Sequence, residues 1–314
     1  MANYSSLRHS SQGNGVGGSR KEQDKFFVPS YLRGSRYIEK VEAFHAAKIM
    51  AQHVEPPPRS FNTGSLSTSS SSVSLQKMAP SHRGMTYDIV ENQLQTEEVG
   101  PVPLPSKWEA KDKWGGLEIG PSEVDVRFVG TNKLSEQDGA AARTDHPMPP
   151  ECGMYYYEVT IVQKGKDGMI GVGFSGSKAS LEKLPGWEPD SWAYHGDDGM
   201  SFSCQSTGKP YAEPFTTGDV IGCGVDFTTN QAFFTKNGVF LGKGNPTSFP
   251  QIKMLILPTG FAFKEIRNVK LYPSVGMQRP HAHVDVNFGQ RPFSFDIDGY
   301  VNVLIPQPCF CNRG

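Results

Sequence analysis

From about residue 101 onward, apolar residues recur at every second position in short runs. Val124, Val126 and Phe128 alternate in EVDVRFVG, and Tyr155, Tyr157, Val159 and Ile161 alternate in MYYYEVTIV. The same period appears at Ile170, Val172 and Phe174, at Ile221, Cys223 and Val225, at Ala232 and Phe234, and at Val284, Val286 and Phe288. Side chains of a strand point alternately to its two faces, so period two marks strands with one face buried. Turn signals separate the runs: Lys166-Asp167-Gly168, Thr229-Asn230 and Asn237-Gly238, the last a strong hairpin signal. Many short strands with almost no helical pattern predict an all-β, antiparallel β-sandwich.

The first hundred residues read differently. Residues 1–30 and 55–85 are rich in Ser, Gly, Pro and Asn, with the tract STSSSSVS at 67–74. Such segments bury too little apolar surface to offset the entropy of ordering them, and residues 1–97 are expected to be mostly disordered. Between them, Tyr37, Ile38, Val41, Phe44 and Ala47 fall on one helical stripe, which predicts a helix over about 35–53, stopped by Pro56-Pro57-Pro58. Alone, such a helix either docks, on its own domain or on a partner, or frays.

Charge and cysteine usage narrow the function classes. A net charge of −1 over 314 residues supplies no bulk attraction for nucleic acid or an anionic membrane. No apolar run approaches the ~20 residues of a membrane span, and the N-terminus lacks a signal peptide's apolar stretch. The five cysteines are odd in number, scattered and without a C-x-x-C pair, which argues for a reducing compartment, the cytosol or the cytosol and nucleus.

One motif invites an enzyme reading. Gly171 to Gly176, GVGFSG, matches the dinucleotide fingerprint G-x-G-x-x-G, with Asp190 close to the expected acidic offset. That site needs a glycine turn opening a helix, then a parallel strand. Here the glycines lie inside a strand returning from KGKDG, and SKASLEKL has at most two helical turns before Pro185-Gly186. The fingerprint is therefore a coincidence of spacing. His195-Gly196-Asp197-Asp198 fits a tight turn better than a metal site, and His281 with His283 lacks a third ligand. No G-x-S-x-G elbow appears. No residue is assigned to catalysis, to a cofactor or to a metal.

WEPDSWAYHGDDG (187–199), FTTGDVIGCGVDF (215–227), FFTKNGVFLG (233–242), LYPSVGM (271–277) and VDVNFGQRPFSFDI (284–297), preceded by PVPLPSKW (101–108), resemble a SPRY domain. The version they are most similar to is that of the RanBPM family of Ran-binding proteins and its fungal relatives, scaffolds of the GID/CTLH ubiquitin ligase. The resemblance spans about residues 98–297. It implies a bent two-sheet sandwich of the SPRY/B30.2 kind, no enzymatic activity, and loops at one edge that grip a peptide or another subunit. Two departures stand out. KGNPTSFPQIKMLILPTG intervenes at 243–260, and the chain ends in DGYVNVLIPQPCFCNRG where the family continues with LisH, CTLH and CRA modules. Both are expected to be retained introns or misplaced exon boundaries, and residues 298–314 are expected to be a non-globular tail.

On the resemblance, Arg143, Thr144 and Asp145 match the family's first binding loop, and Gln278, Arg279 and His281 in QRPHAH match another. Trp187, after Pro185-Gly186, is either an aromatic contact or a closing piece of the core, whereas Trp192 and Tyr194 alternate and read as core. The expected function is a non-catalytic adaptor for a peptide or ligase subunit. The alternative is a stand-alone signalling or secreted SPRY protein outside any ligase. The expected partners are proteins, not nucleic acid or membrane.

Overall fold

A computed structural model of the chain describes residues 28–52, 100–130, 134–135, 137–165, 168–241, 260–266 and 270–304. Among these residues fifteen strands form two antiparallel sheets. They are β1 Trp108–Lys113, β2 Leu117–Ile119, β3 Asp125–Phe128, β4 Ala140–Thr144, β5 Met154–Gln163, β6 Ile170–Gly176, β7 Ser191–His195 and β8 Met200–Ser203. Then follow β9 Lys209–Pro210, β10 Val220–Asp226, β11 Gln231–Lys236, β12 Val239–Leu241, β13 Phe263–Lys264, β14 Leu271–Met277 and β15 His283–Asn287. The first sheet runs β1-β4-β14-β6-β7-β8-β9 and the second β12-β11-β10-β5-β15-β3-β2, with β13 also pairing β11. The all-β sandwich expected from the alternation is the fold observed.

The alternating residues meet between the sheets. Tyr155, Tyr157, Val159, Ile161, Val172, Phe174, Cys223, Phe234, Val275 and Val284 are fully buried, and Trp192 and Tyr194 join them as core residues. The Tyr157 hydroxyl crosses the core to donate to the Gly173 carbonyl of the other sheet. The Asn237-Gly238 turn takes positive φ at both residues, +52° and +77°, as a two-residue hairpin of this hand requires. GVGFSG is the body of β6, held between β14 and β7. Gly173 is glycine because a β-carbon there would overlap the Trp192 carbonyl of β7. The segment after it, SKASLEKL, contains no helix.

β5 departs from simple alternation. Tyr156 and Glu158 face away from the core and are buried all the same, at 0 % and 4 % exposure. A second aromatic layer covers that outer face: Tyr156 stacks on Phe233 at 6.2 Å and meets Phe293 edge-on at 5.1 Å. Glu158 accepts the backbone N–H groups of Ser294 and Phe295 at 2.9 and 3.0 Å, and so fixes the crossing segment.

Two helices flank the sandwich, α1 Arg36–Gln52 and α2 Ile297–Leu304. Ser35 caps α1, its Oγ accepting the Ile38 N–H at 3.4 Å. The helix docks on its own domain: Tyr37 and Val41 are buried, Ile38 and Phe44 partly so, and Ala47 at the end of the expected stripe is exposed. α2 corrects the expected tail. Ile297 is buried and Tyr300 packs on Phe233 at 4.9 Å and Phe240 at 5.7 Å, so residues 297–304 belong to the globule. The expected disorder of 1–27 and 53–97, the turn residues 166–167, nearly all of the 243–260 segment and residues 305–314 lie outside the described residues.

Candidate functional site

The structure separates the seven residues selected from the sequence. Arg143 and Thr144 lie in β4, not in a loop, and are 4 % and 1 % exposed. Arg143 forks onto Asp112, its Nε and Nη2 donating at 2.8 and 2.7 Å, and its Nη1 donates to the Gly176 and Ala179 carbonyls at 3.2 and 2.7 Å. The guanidinium thereby pins the start of a strap, residues 177–190, that recrosses the outside of the first sheet. Ala141 N–H donates to Leu181 O and Gly139 N–H to Glu182 O along its course. A buried, bidentate arginine with every contact internal organises the fold and is not presented to a partner. Thr144 donates to the His146 carbonyl. Asp145 caps a turn at the same end of β4, accepting from Ser106 N–H and Oγ at 3.0 and 2.8 Å and from His146 N–H at 3.0 Å.

Trp187 belongs to the strap and is half-buried, its ring 5.7 Å from His195 and 6.3 Å from Phe202. Of the two readings of Trp187, packing describes its position. His195 is fully buried, shares a 2.8 Å hydrogen bond with the Pro185 carbonyl, and burial pushes its pKa down to about 4. The Asp198 carboxylate accepts the Met200 N–H at 2.8 Å, as a turn residue does. Among the described residues no three His, Cys, Asp or Glu side chains gather as metal ligands.

Gln278, Arg279 and His281 do share one place, the loop joining β14 to β15 at the far end of the sheets. Gln278 is buried and ties that loop inward, its Nε2 donating to the Asp138 carbonyl at 2.6 Å. Arg279 Nη1 reaches the Leu134 carbonyl at 3.5 Å. His281 is exposed with φ +68°, a left-handed conformation that histidine tolerates better than most residues. Beside it opens a hollow of about 680 Å³ lined by Arg127, Phe128, Gln163, Pro280, His281 and His283 among others. Arg127 and Gln163, both exposed, and the part-exposed His283 were not among the seven; the alternation puts Arg127 and His283 outward, whereas Gln163 falls on the buried phase of β5 and is exposed only because the strand ends there. Arg127 Nε donates to His283 Nε2 at 3.4 Å, and Asp125 Oδ2 lies 3.4 and 3.5 Å from these two nitrogens. The hollow thus offers a guanidinium, two imidazoles and an amide over an apolar floor, groups suited to the carbonyls and carboxylates of an extended peptide.

Residues 154–291 match the SPRY domain family. The chain carries a SPRY domain. The domain is similar to those of Ran-binding proteins: Ran-binding protein 10 of Danio rerio is 43 % identical over 201 residues, covering 64 % of this chain and 30 % of that protein. Ran-binding protein 9 of Homo sapiens is 44 % identical over 200 residues, 64 % of this chain and 25 % of that protein. The Ran-binding protein M homolog of Arabidopsis thaliana is 34 % identical over 198 residues, 63 % of this chain and 38 % of that protein. A crystal structure of a human SPRY domain is 26 % identical and matches over 60 % of this chain and all of that one, with a TM-score of 0.43. The chain thus spans well under half the length of the curated relatives it matches. SPRY domains mediate protein–protein interactions.

Proposed function

We propose that this chain is a non-catalytic adaptor that grips a protein segment at the hollow beside His281, and that it serves as a scaffold or substrate-recruiting piece of a GID/CTLH-type E3 ubiquitin ligase in the cytosol and nucleus. The observation carrying the gripping site is the convergence of exposed Arg127, Gln163 and His281 on one half-open hollow at the end of a rigid sandwich. Loops and strand ends on such a scaffold present side chains without spending the scaffold's own stability on them. The ligase assignment is supported by the family motifs quoted above and by the Ran-binding names of the relatives. The compartment is supported by Cys152, Cys204 and Cys223, all free thiols.

Affinity purification of the full chain tests both levels. Recovery of RING-type ligase subunits, lost in a His281→Asn/Arg279→Ala double variant of unchanged melting temperature, is the expected result. A single client captured without RING subunits removes the ligase assignment and keeps the adaptor. Equal capture by the wild type and the double variant removes the gripping site.

A further inference from the structure

The arm formed by residues 28–44 sits on the sandwich as a peptide sits on a receptor. β15 stops at Asn287, opposite Glu158 of β5, and the chain turns away at Gly289 with φ +106°. Tyr156, two residues further along β5, then receives no partner from β15. The Tyr31 side chain takes that place: its hydroxyl accepts the Tyr156 N–H at 2.8 Å and donates to the Tyr156 carbonyl at 3.3 Å. One phenol thus answers both backbone groups that a continuing strand would have answered. Burial holds the Tyr31 pKa well above its ordinary value, so the hydroxyl stays a donor.

The neighbours of Tyr31 are equally specific. Leu32 is 1 % exposed. Pro29 closes on Gly289, where a β-carbon would come within 2.6 Å of Pro29 Cγ. Ser30 Oγ donates to Asp298 Oδ2 at 2.8 Å, so an acidic residue at that position would be repelled. The seat continues as a hollow of about 570 Å³ lined by Val28, Arg33 and residues 289–298. In sequence, residues 45–99 lie between the arm and the sandwich, so Tyr156, Gly289 and Asp298 are all remote from the residues they hold.

We propose that this face is a second peptide socket, distinct from the hollow beside His281 and independent of its assignment. It reads a Pro-x-Tyr-Leu segment with an unmodified tyrosine, is filled in cis by Pro29–Leu32, and takes a partner protein's segment of the same kind when the arm is out. A tethered arm is present at an effective concentration in the millimolar range, so free peptide competes poorly against an intact one. The test therefore opens the socket from the arm side, in the full-length chain, with Tyr31→Ala and separately with Leu32→Ser. The probe is a fluorescent synthetic peptide of residues 27–44. Saturable binding to an opened variant at least tenfold tighter than to the wild type is expected. The same peptide carrying Tyr31→Phe should bind about fivefold more weakly, the worth of a typical hydrogen bond. The His281→Asn/Arg279→Ala changes, added to an opened variant, should leave peptide binding as it was, which separates failure of the socket from failure of the His281 site. No saturable binding to either opened variant, or equal binding to wild-type and opened chains, overturns the proposal. So does loss of the folded state in both variants, since the arm would then be part of the core and not an exchangeable ligand.

Discussion

The outer faces of the two sheets are covered by opposite means. On the first sheet the floor is glycine, with Gly171 and Gly276 under Leu184 and Pro185 of the strap, and the cover is the connection between two neighbouring strands. A buried guanidinium locks it. On the second sheet the floor is aromatic, Tyr156 and Phe233, and the cover comes from both ends of the described chain, residues 28–44 and 289–304. Hydroxyls, the Glu158 and Asp298 carboxylates, ring contacts and an exposed Lys40–Glu151 pair hold it. A local cover with an ionic pin is inseparable from the strands it joins. A remote cover with no buried ion pair is a bound ligand that happens to be attached.

Arg143→Ala is the strongest challenge to this contrast. It leaves Asp112 without its partner and the Ala179 carbonyl of the strap without this donor, and should cost about 3–5 kcal/mol in denaturant unfolding. Arg143→Lys should rescue little, because an ammonium cannot span the fork. Full recovery by lysine would mean the strap is held by packing alone.

Acidification acts on the same strap through His195. Its folded pKa is about 4, below the unfolded value of about 6.5, so the unfolded chain binds the extra proton. Stability from this group is fully present above about pH 6.5 and is lost as pH falls toward 4, by at most about 3 kcal/mol. Unfolding free energies measured between those limits should fall more steeply in the wild type than in His195→Gln. Parallel profiles would show that the imidazole titrates freely.

The remote cover should respond more gently. Tyr31→Phe removes the two hydrogen bonds to Tyr156 and keeps the ring, so a loss of about 1 kcal/mol is expected, with faster hydrogen exchange confined to residues 28–44 and 154–158. Exchange that rises uniformly would count against a separable arm.

At the bottom of the scale, His281→Asn should shift stability by no more than about 0.5 kcal/mol, since asparagine also accepts positive φ and the side chain is exposed. A larger loss in a thermal melt would move His281 from contact to scaffold.

The sandwich was legible because period-two alternation is written wherever one face of a strand is dry. Ile221, Cys223 and Val225, and the Asn237-Gly238 turn, needed nothing else. The second aromatic layer was not legible. In MYYYEV three successive tyrosines and a glutamate are all buried, and a strand dry on both faces carries no alternation. Glu158 reads as solvent-facing until the backbone of Ser294 and Phe295 arrives to satisfy it. Arg143 failed for the matching reason: a charged letter beside polar neighbours looks like a loop, and only the distant Asp112 shows it to be interior. In the candidate site, His281 was found through the family pattern. Arg127 points outward in the alternation, but that it meets Gln163, which the alternation would place inward, came into view only when β3, β5 and β15 were set side by side.

The order of strands also sets a schedule for the ribosome. β5, at the heart of one sheet, lies against β15, and β6, at the heart of the other, lies against β14. Until the stretch 271–287 has left the exit tunnel, both central strands of the nascent chain expose a raw edge rich in tyrosine, valine and isoleucine. Such edges recruit other chains as readily as their own missing partner. Production of this protein should therefore depend on chaperone supply during synthesis far more than its finished, closed sandwich would suggest.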